Sequence, residues 1–149
     1  MHFTIQSRIQ EANADLVFEG FTEDLFTWLS PAFPKMRVLR FDGCKRGDFV
    51  SVSLFIPGLP AQTWLSEITA QRSEPGQLHE FIDEGRTLPF FLKQWKHVHR
   101  IEQKGNDVEI TDAIDFKTPW YFPGIVGLCL LYPSFYSRKR KYVSYFKKN

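Results

Sequence analysis

The segment Gln94–Pro119 constrains the fold of this 149-residue chain more than any other part. It consists of two arms in which apolar and polar residues alternate, separated by the pair Gly105-Asn106. Alternation with a period of two is typical of β-strands, and a Gly-Asn pair between two such arms is typical of a primed two-residue turn. The segment therefore predicts an antiparallel β-hairpin.

A two-residue turn also determines which residues of the hairpin lie opposite one another. Lys104 faces Asp107, and counting back along both arms places His99 opposite Asp112. Side chains two positions apart share one face of a strand. That face then carries Trp95, His97, His99, Ile101, Ile110, Asp112, Ile114 and Phe116. Apolar surface with a few polar groups is typical of a ligand pocket, so we expect this face to line a binding site.

Length and composition exclude several classes of protein. The chain fits one domain, 1–149, without a repeat or linker, and its 16% aromatic content suits a large core or an apolar cavity. A net charge of +2 does not indicate a nucleic-acid partner. Cys44 and Cys129 do not have the spacing of a zinc site or a disulfide framework. Neither a signal peptide nor an apolar run of about 20 residues is present, so we expect a cytoplasmic protein without stable membrane insertion.

The remaining segments predict a strand, two short helices, a series of strands and a final helix. Residues 2–10 alternate like a strand, and Asn13 or Asp15 can cap a helix. Gly20 is expected to break the helical region that follows into two short helices or to kink it. Turn-forming residues then separate four predicted strands: Met36–Phe41, Phe49–Ile56, Gln62–Arg72 and Gln77–Glu84. Short turns between consecutive strands predict an antiparallel meander that continues into the hairpin.

The last third of the chain has the apolar spacing of a long helix. Apolar residues recur at intervals of three and four: Ile125, Leu128, Leu131, Tyr132, Phe135, Tyr142, Val143 and Phe146. Pro133 lies within this stretch and is expected to kink or split the helix. Element order therefore predicts an α+β domain whose curved antiparallel sheet wraps around the C-terminal helix.

Several segments also carry a resemblance to a known group. In chain order they are Phe81-Ile-Asp83-Glu, Leu88-Pro-Phe90, Trp95-Lys-His97-Val-His99-Arg-Ile101, Asp112-Ala-Ile-Asp-Phe116, Pro119 and Phe135-Tyr-Ser-Arg138. Together they resemble the bacterial SRPBCC ligand-binding proteins, the START-like or polyketide cyclase-like branch of the Bet v 1 helix-grip superfamily. In that group a glycine often precedes the Pro-Phe step, where this chain has Leu88.

The resemblance implies a helix-grip fold with a roughly seven-stranded sheet, two short helices after the first strand and an apolar tunnel under the long helix. Such proteins bind lipids, sterols, quinones or polyketides, and some catalyse cyclisation or dehydration. By motif, the resemblance assigns the pocket to Trp95, His97, His99 and Asp112, and it places Arg138 in the final helix, with Asp83 as its candidate ion-pair partner. No cofactor is implied.

The polar residues of the hairpin allow two interpretations. His99 with Asp112 can act as an acid/base pair, or it can be a buried polar pair that stabilises strand register. His97 can donate to a ligand or bond to the backbone of the core. Residue types alone would allow a metal site, but alternate residues of one strand lie about 6.6 Å apart at Cα, and we expect none.

The function expected from these features is binding of a small hydrophobic or lipid-like molecule. Such binding would also allow transport or sequestration of that molecule. The expected ligand-binding residues are Trp95, His97, His99, Asp112, Ile114, Phe116, Tyr132 and Phe135. One alternative is a cyclase or dehydratase that uses His99 and Asp112 as catalytic residues. A second alternative is a protein-interaction module. No nucleophile or nucleotide-binding motif is present.

Overall fold

A computed structural model describes residues 1–148, which form seven strands and four helices. In chain order these elements are β1 (His2–Ile9), α1 (Ala14–Glu19), α2 (Glu23–Trp28), β2 (Lys35–Phe41), β3 (Phe49–Phe55), β4 (Gln62–Glu74), β5 (Leu78–Thr87), β6 (Gln94–Lys104), β7 (Asp107–Lys117), α3 (Gly124–Tyr136) and α4 (Arg138–Lys148). The predicted order of strands and helices is therefore confirmed.

All seven strands belong to one antiparallel sheet with the order β1-β7-β6-β5-β4-β3-β2. Because β1 pairs with β7, the first strand forms one edge of the sheet, beside the predicted hairpin. The register of that hairpin is also confirmed: Lys104 lies opposite Asp107, and His99 lies opposite Asp112. Gly105 has a φ of 63°, the left-handed conformation that a primed turn requires.

The first short helix begins after Asn13, one of the two predicted caps, and ends before Gly20, which separates it from α2. The side chain of Asn13 accepts hydrogen bonds from the amides of Asp15 and Leu16 and so caps α1. Gly20 follows α1, and a Cβ atom at this position would lie only 2.7 Å from the ring of Phe146. The glycine therefore allows α4 to pack closely against the end of α1.

The C-terminal helix is bent, as the proline predicted, but the division lies after the proline itself. Pro133 is inside α3, and the helix breaks at Ser137, between α3 and α4. Proline has no amide hydrogen to donate to the preceding turn, which weakens the helix around it. The buried face of α3 consists of Gly127, Leu131 and Phe135. None of the helices within residues 1–148 is both long enough and apolar enough to cross a membrane.

Two apolar clusters form the core, one toward each end of the hairpin. Ile101 and Ile110 belong to the cluster under α1, α2 and α4. Trp95 and Ile114 belong to the cluster under α3. Along β6 and β7 the histidines and Asp112 lie between these two clusters, so the polar face of the hairpin interrupts the core at its middle.

Candidate functional site

Five polar side chains from four elements meet inside the sheet and form what we call the polar cluster. They are Asp83 of β5, His97 and His99 of β6, Asp112 of β7 and Arg138 at the start of α4. Strand alternation directs the sheet residues to one face. Burial is extensive, since Asp112 is 0% and His97 3% exposed. Buried charged groups of this kind require partners.

The close contacts in the polar cluster run diagonally between strands. His97 Nε2 lies 2.8 Å from Asp112 Oδ1, and His99 Nε2 lies 2.7 Å from Asp83 Oδ2. The residues directly opposite each other are farther apart: His99 Nδ1 is 3.5 Å from Asp112 Oδ1, and His97 Nδ1 is 3.4 Å from Asp83 Oδ2. The expected neighbours His99 and Asp112 are thus adjacent, but each makes its short hydrogen bond to another residue.

The expected ion pair between Arg138 and Asp83 is wrong, because Arg138 lies beside Asp112. Its Nη1 is 4.0 Å from Asp112 Oδ1, and its guanidinium stacks on the ring of Phe135 at 4.3 Å. Asp83 already accepts a 2.9 Å hydrogen bond from the indole of Trp95 as well as the contact from His99. Arg138 therefore compensates the negative charge of Asp112 and not that of Asp83.

Both carboxylates of the polar cluster are ionised at neutral pH. Burial alone raises the pKa of Asp112, but the hydrogen bond from His97 and the positive charges of His97 and Arg138 outweigh it and lower that pKa to about 2. Burial alone would also raise the pKa of Asp83, but the hydrogen bond from His99, the charge of His97 and the hydrogen bond from Trp95 outweigh it and hold this pKa below its usual value.

His99 is neutral under the same conditions. Burial, and after it the charge of neighbouring His97, lowers the pKa of His99 to about 4. Ionised Asp83 can only accept a hydrogen bond, so Nε2 of neutral His99 must carry the hydrogen and Nδ1 must carry a lone pair. This Nδ1 is buried and has no hydrogen-bond partner within residues 1–148. Asp112 Oδ2 is likewise buried without a partner in this part of the chain, so the polar cluster contains two acceptors without a donor.

An apolar cavity of about 130 Å³ adjoins the polar cluster. His97, His99, Asp83 and Arg138 form its polar wall. The other walls are mostly apolar and come from α2, β2, β3, β4 and α3, with Leu25, Phe26, Met36, Val52, Trp64 and Leu131 as representative lining residues. A largely apolar cavity with a few converging polar groups has the composition of a small-molecule site.

Four of the expected ligand-binding residues line this cavity, and four do not. Trp95, His97, His99 and Phe135 line it. Asp112 is not among the lining residues, and Ile114 and Phe116 lie in the core under α3. Tyr132 is 40% exposed and contacts Phe3 at ring edges.

Close packing of α3 explains why Ile114 and Phe116 do not face the cavity. A Cβ atom at Gly127 would lie 3.1 Å from the ring of Phe116, so the glycine brings α3 directly onto this part of β7. The helix α3 therefore covers Ile114 and Phe116 of the hairpin and separates them from the cavity. Sequence reasoning missed the lining residues of α2, β2 and β3, although the alternation of Val50, Val52 and Leu54 in β3 was a usable signal.

Asp83, His97 and His99 have the residue types of a metal site. One ligand atom from each lies within 4.8 Å of the others, as a site with two histidines and one carboxylate requires. The Nε2 atoms of both histidines, however, are engaged in hydrogen bonds of 2.7 and 2.8 Å to carboxylates. Arg138 adds a positive charge close to Asp112. A hydrogen-bonded network explains these contacts without a metal.

Models of known protein families give no match to this sequence. A search of curated protein sequences gives none either. Solved structures, in contrast, match over almost the whole chain.

The Zhui aromatase/cyclase from Streptomyces sp. R1128 is similar to this chain at 16% identity and a TM-score of 0.67, over 99% of this chain and 94% of that one. Norcoclaurine synthase from Thalictrum flavum, in complex with dopamine and hydroxybenzaldehyde, is similar at 12% identity and a TM-score of 0.64, over 100% and 88% of the two chains. The protein Ara h 8.0201 is similar at 16% identity and a TM-score of 0.62, over 100% of both chains. These similarities show that the chain has the Bet v 1-like helix-grip fold, as the sequence resemblance implied.

Proposed function

We propose that the protein binds a small, largely apolar molecule in the cavity between the sheet and α2 and α3. The observation that carries this proposal is the composition of the walls: apolar side chains line most of the space, and four members of the polar cluster form one side of it. Such a wall orients a ligand through its polar group, while the apolar walls supply most of the binding free energy.

The volume of the cavity favours a compact ligand. At about 130 Å³ it is close to apolar cavities of about 150 Å³ that bind benzene. One aromatic ring with small substituents fits this space, whereas a long acyl chain would require the walls to separate. Among the small hydrophobic molecules expected as ligands, the cavity therefore favours those of about one aromatic ring.

The polar cluster favours a ligand that carries a hydroxyl group. His99 Nδ1 is a buried acceptor without a partner, and Arg138 Nε is a buried donor without one within residues 1–148. A hydroxyl can donate a hydrogen bond to the first and accept one from the second. Each such bond between neutral groups contributes about 1 kcal/mol, and more where one group is charged.

A pair of ligands with nearly equal shape tests this proposal. We expect p-cresol to bind about tenfold more tightly than p-xylene in calorimetric titrations, because its hydroxyl satisfies His99. His99→Phe should abolish this difference while retaining an aromatic ring against Phe81, on which His99 stacks at 4.2 Å. Equal affinities for the two ligands in the unmodified protein would contradict a role of the polar cluster in binding.

An enzyme of the cyclase or dehydratase type is the second candidate, favoured by the state of His99. A neutral imidazole, oriented by a carboxylate and with its other nitrogen unpartnered, is the arrangement of a general base. The carboxylate in the short hydrogen bond is Asp83, so the pair to test is His99–Asp83. With a small β-hydroxy ketone as substrate, His99→Gln should lower the rate of dehydration at least a hundredfold; an unchanged rate would exclude His99 as the base.

A further inference from the structure

The segments that connect the strands and helices lie at the two ends of the sheet. Antiparallel pairing brings together the start of β2 with the end of β3, and the start of β6 with the end of β7. Four segments therefore lie at one end, which we call the loop end: 30–35, 55–61, 88–93 and 117–126. The turns 10–13, 42–48, 75–77 and 105–106 lie at the opposite end.

The loop end exposes an unusual number of large apolar side chains. Trp120 is 96% exposed, which is extreme for the largest apolar side chain. Its exposed companions on the same four segments are Phe33, Phe55, Leu59, Phe90, Tyr121, Ile125 and Val126. Within the described part of the chain, the turns of the opposite end have no large exposed apolar residue. Large exposed apolar side chains concentrated at one end indicate an interaction site.

The charge of the loop end has a single sign. The side chains that are charged at neutral pH in its four segments are Lys35, Lys93 and Lys117, all exposed, and these segments contain no aspartate or glutamate. The turns of the opposite end carry side chains of both signs, and their acidic residues include Glu11, Asp42 and Asp48. The partner of the loop end should therefore combine an apolar region with negative charge.

Hydrogen bonds hold the loops of this end together. The hydroxyl of Tyr121 donates to the carbonyl of Phe90 at 2.8 Å, and the amide of Lys93 donates to the carbonyl of Lys117 at 2.7 Å. Phe122 contacts the rings of Phe90 and Phe91. Trp120 is thus presented from loops that are fixed to one another, so little ordering is needed when it contacts a partner.

We propose that the loop end docks reversibly on the surface of an anionic lipid bilayer. Trp and Tyr side chains favour the interface between lipid and water, and each lysine near an anionic surface adds to the attraction. The same loops supply walls of the cavity through Pro31, Pro34 and Phe91, which places the docked surface next to the binding site. The proposal concerns peripheral contact and does not depend on which ligand the cavity binds.

Co-sedimentation with vesicles tests the docking surface without any cavity ligand. The unmodified protein should bind vesicles of phosphatidylglycerol and phosphatidylcholine at low salt and bind vesicles of phosphatidylcholine alone at least tenfold more weakly. The double variant Trp120→Ser/Ile125→Ser should lower the partition coefficient on the anionic vesicles at least tenfold. Leu16→Ser, an equally apolar and exposed residue of α1 outside the loop end, is the matched control and should leave it unchanged.

Three results would overturn the proposal. One is absence of binding by the unmodified protein to anionic vesicles at low salt. Another is binding that the double variant and the Leu16→Ser control lower equally. The third is self-association in sedimentation equilibrium that the double variant abolishes, since the loop end would then be an interface between copies of the chain. Thermal unfolding of each variant verifies that it is folded, because these side chains are at the surface and carry little stability.

Discussion

Asp112→Asn is the substitution whose effect follows most directly from the geometry of the polar cluster. It keeps the size of the side chain and an oxygen that can accept from His97, but it removes a charge at a site that is 0% exposed. Arg138, itself buried, then loses its nearest counter-charge at 4.0 Å. One negative charge, on Asp83, remains in the polar cluster.

Removing one partner of a buried ion pair typically costs about 3–5 kcal/mol, because the other charge stays buried without compensation. That is a large part of the roughly 5–15 kcal/mol of a typical domain. For a chain of this length it corresponds to a decrease in Tm of roughly 10 °C. We therefore expect Asp112→Asn to fold at 25 °C with a much lower midpoint in urea.

Urea unfolding at pH 7 measures this loss, and the same strand offers a control. Asp115→Asn is the same change on the outer face of β7, where the carboxylate of Asp115 is more than half exposed and pairs with His2. A surface pair contributes about 0–1 kcal/mol, so this variant should unfold nearly like the unmodified protein.

If Asp112→Asn lowered the free energy of unfolding by less than about 1 kcal/mol, the assignment of a buried negative charge to Asp112 would be refuted. A second variant makes the test specific: combining Asp112→Asn with Arg138→Met should restore part of the lost stability, because no buried charge is then left uncompensated at this point. Strictly additive losses in the two single variants would mean that Arg138 and Asp112 do not interact.

Two further predictions concern pH and close packing. Because the pKa of His99 falls from 6.5 to about 4 on folding, the unfolded chain binds more protons between these values, and about 3 kcal/mol of stability should be lost as pH falls from 6.5 to 4. His99→Phe should flatten this part of the stability curve measured by urea unfolding; an equally steep curve in the variant would assign the loss to other groups. Gly20→Ala should destabilise the protein by about 1–3 kcal/mol, since its Cβ would lie 2.7 Å from Phe146. If Gly20→Ala instead stabilised the protein, as the substitution does at a helix end that nothing covers, then α4 would not be packed against Gly20.

Local sequence patterns predicted the fold because each of them determines the backbone conformation of residues that are adjacent in the chain. The turn at Gly105-Asn106 is enough to determine the register of β6 and β7, and that register places His99 opposite Asp112. Asn13 and Gly20 likewise mark the limits of α1 by capping and by close packing. These features need no knowledge of the rest of the chain.

Contacts between distant elements could not be predicted in the same way. Register defines Cα positions, but side-chain rotamers decide which carboxylate each imidazole reaches, and here the short hydrogen bonds are diagonal. The partner of Arg138 depends on where α4 begins over the sheet. Phe116 is withdrawn from the cavity because Gly127 lets α3 approach it. The last two outcomes are determined by helix packing, which strand alternation does not encode.

The central claim is that a small apolar molecule binds inside the cavity, and a cavity-filling substitution tests it most directly. Val52 is buried and lines the cavity, whereas Val98 lies between His97 and His99 on the opposite face of β6. Calorimetric titration with p-cresol should give at least tenfold weaker binding for Val52→Phe and unchanged binding for Val98→Phe. Equal binding by both variants would contradict the account, because the ligand would then occupy a site other than this cavity.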